Sequence, residues 1–131
     1  AAYISSISSI KKIAYTLVIA GVLSNLYGLI QALGLDPILW NNQYSPVFGF
    51  LGNPNFQSSL LGILGAVVFT QLLSSSVKTQ IKGGYLVYLL VTVYVIKETA
   101  SQQGFLVLLG GIAVVVFIWI TRSKVKFLTI I

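Results

Sequence analysis

Two short stretches concentrate the polar chemistry of an otherwise apolar chain. One is Gly52-Asn53-Pro54-Asn55, followed by Phe56 and Gln57; the other is Ser101-Gln102-Gln103-Gly104. Each runs directly into a hydrophobic segment. In the first, glycine can take a positive φ, and proline suits the first turn of a helix because its own φ is already fixed. Asn53 is placed to cap that helix, while Asn55 and Gln57 add side-chain amides to its first turn. A helix start also offers unpaired N–H groups and the positive end of the helix dipole, which together suit an anion, phosphate in particular. The plainer alternative is a cap for a membrane helix. The second stretch opens another amide-bearing helix, and Lys97 just before it could supply a cation to an anionic ligand. Glu98 is its sequence neighbour, but adjacent residues point about 100° apart on a helix. The pair could equally well snorkel to an interface.

The chain has no cysteine, histidine or methionine. That removes a disulfide framework, thiolate or imidazole metal ligands, and the commonest general base. No metal site and no cofactor is expected. The +6 formal charge does not point to nucleic acid, because the basic residues stand at segment ends and are not clustered with exposed aromatics.

What must position these stretches is lipid-embedded. Of the 131 residues, 56% are hydrophobic and 8% charged, and the mean hydropathy is +0.95. A soluble domain carries roughly a quarter charged residues, so this chain cannot cover its surface with polar groups. A spanning helix needs about 20 mostly apolar residues, and four spans are predicted, at about 13–33, 56–73, 83–100 and 104–121. The third has a short apolar heart, Tyr85 to Ile96, and must borrow flanking residues. β-Branched residues are frequent, but "IAVVVFIWI" lacks the alternation of a transmembrane barrel. The expected fold is therefore all-α, a single polytopic transmembrane region.

Lys11 and Lys12 precede the first span, Lys78 and Lys82 separate the second and third, and Arg122, Lys124 and Lys126 follow the fourth. The other side carries Asp36, Glu98 and only Lys97. Cytoplasmic loops collect Lys and Arg, so both termini are expected in the cytoplasm. Both amide-rich stretches then open on the outside. Trp40, Tyr44, Phe48 and Phe50, in the long connection, fit an interfacial aromatic belt there. Gly62 and Gly65, or Gly110 and Gly111, permit close helix contacts. The chain begins "AAYISSISSIKK", neither a clear signal peptide nor a translation start, so we expect a processed N-terminus or a piece of a longer protein.

"GFLGNPNFQSSLLGIL", opening at Gly49, resembles the Gly-Asn-Pro-Asn-Phe signature of the O-antigen ligase and polymerase-like membrane proteins. The preceding "GLIQALGLDPILWN" is similar to the segment that runs into that signature, and "ETASQQGFLVLLGG" is similar to a later Ser-Arg-Gly or Ser-x-Gln-Gly landmark. Position by position, Gly52, Asn53, Pro54, Asn55 and Phe56 match the first motif, and Ser101 and Gly104 match the second. The resemblance implies a larger helical protein of the bacterial inner membrane. Such a protein transfers glycan from a polyprenyl diphosphate carrier on the extracytoplasmic face without a metal. It further implies that Asn53, Asn55, Gln57, Ser101, Gln102 and Gln103 line the glycan-lipid site, with Lys97 as the diphosphate contact. Two departures stand out. Gln102 replaces an arginine that many relatives carry, and the histidine of the ligases' large outer loop has no counterpart. We therefore assign no catalytic residue and expect this stretch to need the remainder of its parent protein. Two rival expectations are a small structural subunit of a larger membrane complex and half of a small-anion pathway.

Overall fold

A computed structural model describes residues 7–40 and 45–122. Tyr44, Lys124 and Lys126 lie outside them. The described chain forms four helices: α1 (Ile7–Ala32), α2 (Pro54–Leu73), α3 (Thr79–Glu98) and α4 (Gln102–Arg122), with a single 3₁₀ turn at Gly49–Leu51. All four are long and apolar enough to cross a membrane. At about 1.5 Å per residue, 20 residues match the hydrocarbon thickness.

The helix ends differ modestly from the sequence expectation, for local reasons. Helix α1 begins before Ile13, so Lys11 and Lys12 lie within its first turns. Helix α3 starts at Thr79, straight after Lys78, and this supplies the length that its short apolar heart lacks. It stops at Glu98 because the Thr99 hydroxyl donates to the Ile96 carbonyl at 2.6 Å and Ala100 adopts φ 55°, a left-handed conformation. Helix α1 ends in a Schellman arrangement around Gly34 at φ 68°, where the Leu35 N–H bonds the Ile30 carbonyl and the Gly34 N–H bonds that of Gln31.

Helix α2 is the hub. It touches α1, α3 and α4, whereas α4 leans almost entirely on α2. Contacts run up the chain together between α1 and α3 (Asn25 with Thr92, Gly28 with Val95) and between α2 and α4 (Gly62 with Gly104, Ala66 with Gly111), so each of these pairs is parallel. The order is up-down-up-down. One end of the bundle, the loop end, holds the 33–53 connection and the Thr99–Ser101 turn. The opposite end, the basic end, holds Lys11, Lys12, Lys78, Lys82 and Arg122.

The α2–α4 contact is a small-residue interface. A Cβ on Gly62 would stand 2.7 Å from the Gly104 carbonyl oxygen, one on Gly104 would stand 2.8 Å from the Ser58 carbonyl oxygen, and one on Gly111 would stand 2.6 Å from the Ala66 Cβ. Backbones this close gain van der Waals contact that bulkier side chains would forbid. Gly65 packs on Leu108, while Gly110 faces open space. The apolar core is compact: Val47, Leu61, Val95, Ile96 and Leu108. Around it, Leu39, Leu90, Leu106, Phe117 and many other large apolar side chains are exposed. An apolar surface of this extent suits lipid, not water.

Candidate functional site

The long connection is pinned to α1 by one carboxylate. Asp36 accepts from the Ile38 N–H at 3.0 Å through one oxygen. Through the other it accepts from the Tyr27 hydroxyl and the Gln31 amide, both at 3.0 Å, and from the Trp40 indole at 3.2 Å. The Ile38 N–H first, then these side-chain donors, hold its pKa below the ordinary carboxylate value. Gln31 turns its carbonyl the other way, accepting from the N–H groups of Phe48 and Gly49 at 3.2 and 2.8 Å. That pull draws Phe48 inward, edge-on to Trp40 with ring centroids 5.1 Å apart, so Phe48 is buried and not part of an interfacial belt. Phe50 remains exposed and stacks on Tyr27 at 4.5 Å. Ser45 fixes the end of the connection by donating to the Glu98 carbonyl at 3.1 Å.

The Gly-Asn-Pro-Asn stretch follows. Gly52, at φ 66°, closes the 3₁₀ turn, and Asn53 is the N-cap of α2 with Pro54 as its first residue. The Asn53 carbonyl side chain accepts from the N–H of Asn55 at 2.8 Å and of Phe56 at 3.4 Å, and its backbone carbonyl accepts from Gln57 at 2.9 Å. The first-turn N–H groups that the sequence leaves open for an anion are therefore occupied by the helix's own cap, and Pro54 has none to offer. Gly49 has two constraints. Its φ is 58°, and an added Cβ would overlap the amide of Gln57.

Gln57 is fully buried between α1 and α2, not turned to the loop end. Its amide donates to the Ser24 hydroxyl at 2.9 Å and to the Ser24 carbonyl at 3.3 Å. One residue along α1, on its contact with α3, the Asn25 amide donates to the Thr92 hydroxyl at 2.8 Å. The Asn25 carbonyl oxygen and the Tyr88 hydroxyl are the buried side-chain atoms left without a partner among the described residues. In sequence, Ser24, Asn25 and Gln31 merely interrupt an apolar span; the placing of Ser24 against Gln57 and of Asn25 against Thr92 exists only once the helices pair.

Ser101 is buried, and the Ser58 hydroxyl lies 3.0 Å from the Ser101 hydroxyl. This contact spans 43 residues of sequence and sets the N-termini of α2 and α4 side by side. Gly104 packs against Ser58 just below. Asn55, Phe56, Gln102 and Gln103 are exposed around this junction. Lys97 is 72% exposed and donates to Glu98 at 3.3 Å, so its charge is partly answered within the chain. Of the residues named from sequence, Asn55, Gln102 and Gln103 thus share an open polar rim. Asn53, Gln57 and Ser101 are spent on capping and packing, and Lys97 stands at the end of α3. Among the described residues, no group of His, Cys, Asp or Glu could hold a metal.

This geometry defines an all-helical protein with four membrane-length helices and a polar rim at one end. Comparison with protein-family models, with curated proteins and with solved structures finds no match to the chain.

Proposed function

We propose that this four-helix unit belongs to an O-antigen ligase or polymerase-like glycosyltransferase of a bacterial inner membrane. Both termini are cytoplasmic and the loop end faces outward, where the parent protein takes glycan from a polyprenyl diphosphate carrier. The observation that carries the reading is the Ser58–Ser101 contact at 3.0 Å, which brings the two sequence landmarks together although they lie far apart in the chain. Exposed amides of Asn55, Gln102 and Gln103 around that junction suit the hydroxyl-rich surface of a glycan. Lys97 contributes positive charge beside the rim. The rest of the parent protein supplies the catalytic groups.

The test is glycan transfer by membranes carrying the whole protein. Asn55→Ala combined with Gln102→Ala and Gln103→Ala lowers transfer at least about tenfold, the effect of losing one to two charge-free hydrogen bonds per amide, while insertion and expression persist. Unchanged transfer overturns the reading. Asn53→Ala serves as a stability control, since loss of its cap costs about 1 kcal/mol.

A second reading draws on the same contacts. Asn53, Gln57, Ser58 and Ser101 all serve the bundle's own packing, which supports a structural subunit within a larger membrane complex. Retained transfer together with loss of complex assembly in Gln57→Leu favours that reading. The small-anion pathway has less to draw on, because the start of α2 is closed by its cap.

A further inference from the structure

Beyond the contact of Ala66 with Gly111, a groove lies between α2 and α4 toward the basic end. Its volume is about 410 Å³. Leu73 of α2 and Val115 and Ile118 of α4 give it an apolar lining, which Trp119, Arg122 and Ser74 extend at the helix ends. We propose that this groove binds an anionic phospholipid, with one acyl chain along Leu73 and Ile118 and the headgroup phosphate at Arg122 and Ser74.

The charge balance selects the occupant. The whole chain has two acidic residues, Asp36 and Glu98, and both belong to the loop end. At the basic end Lys11, Lys12, Lys78, Lys82 and Arg122 have no Asp or Glu beside them among the described residues, which leaves their charge to an anion from outside. Among the described residues, Arg122 is the one cation that lines the groove. Its guanidinium presents a fork of donors matched to phosphate oxygens. Helix C-termini carry partial negative charge, so the ends of α2 and α4 do not attract a phosphate by themselves. Binding therefore depends on Arg122. Trp119 sits where an indole is favoured, between the apolar chain and the headgroup. The inference does not rest on the glycan-transfer reading.

The test uses the protein reconstituted in phosphatidylcholine vesicles, with Trp40→Phe leaving Trp119 as the sole tryptophan. Trp119 fluorescence is titrated with phosphatidylglycerol brominated on its acyl chains, then with phosphatidylcholine brominated in the same way. The expected result is half-quenching at a mole fraction about fivefold lower for the anionic lipid, the worth of one cation beside an anionic headgroup. That preference survives salt high enough to screen surface charge. It disappears in Arg122→Gln and persists in Lys82→Gln, which lies on α3 outside the groove. Equal quenching by the two lipids overturns the proposal, as does a preference that outlasts Arg122→Gln. Failure of both lipids to quench means that a protein segment fills the groove, and also overturns it.

Discussion

Asp36 accepts four hydrogen bonds, from donors that include both an α1 tyrosine and a tryptophan of the following loop. Because its folded pKa is depressed, its contribution is present above the ordinary carboxylate value and is lost as pH falls through the lower folded value. With Trp119→Phe isolating Trp40, the emission of Trp40 should therefore titrate below the ordinary carboxylate range. Asp36→Asn should abolish that titration. An acid-insensitive Trp40 would mean that the indole contact contributes nothing to holding the loop. Residues of this kind were only half legible in the sequence. Asp36 stands out as one of two acidic residues, but nothing local says that Gln31, in the last turn of α1, and Tyr27, one turn earlier, will reach it. The Gly-Asn-Pro-Asn cap was legible in full, since an N-cap is built from contiguous residues. Gln57 was not, because its partner Ser24 lies 33 residues away.

Helices are held here by small residues more than by a large core. Helix α4 buries only Gly104 and Leu108 among its described residues, and both meet α2. Overpacking such an interface costs about 1–3 kcal/mol. Gly104→Ala should lower the thermal stability of the purified protein by that amount, while Gly110→Ala, with nothing near its added Cβ, should change it by less than about 0.5 kcal/mol. Equal effects would remove the glycine interface as the source of α4 docking. The sequence offered Gly62, Gly65, Gly110 and Gly111 as equivalent candidates. Neighbouring glycines on one helix face different directions, so only knowledge of where α2 lies separates Gly111 from Gly110.

At the scale of the molecule, the four spans and the asymmetric distribution of charge came directly from composition and spacing, because lipid imposes length and polarity on every crossing segment. Which helices touch was not legible: consecutive hairpins are the usual expectation, yet α4 rests on α2 and only grazes α3. These 131 residues contain no cysteine, so one introduced cysteine reports the orientation once any in the rest of the protein is replaced. Leu39→Cys, on the loop end, should react with a membrane-impermeant maleimide in intact cells. Ser75→Cys, between α2 and α3, should react only after permeabilisation. The reverse pattern would invert the topology and place the polar rim in the cytoplasm.

The parallel pairing of α2 with α4 also has a consequence in time. Gly104 and Gly111 are the last of the packing residues to be synthesised, so the glycine face of α2 meets its partner across the whole length of α3. Helix α3 packs on α1 and α2 through Thr92, Val95 and Ile96. A chain cut after Glu98 should therefore keep the α1–α3 contacts and leave the glycine seam of α2 unfilled.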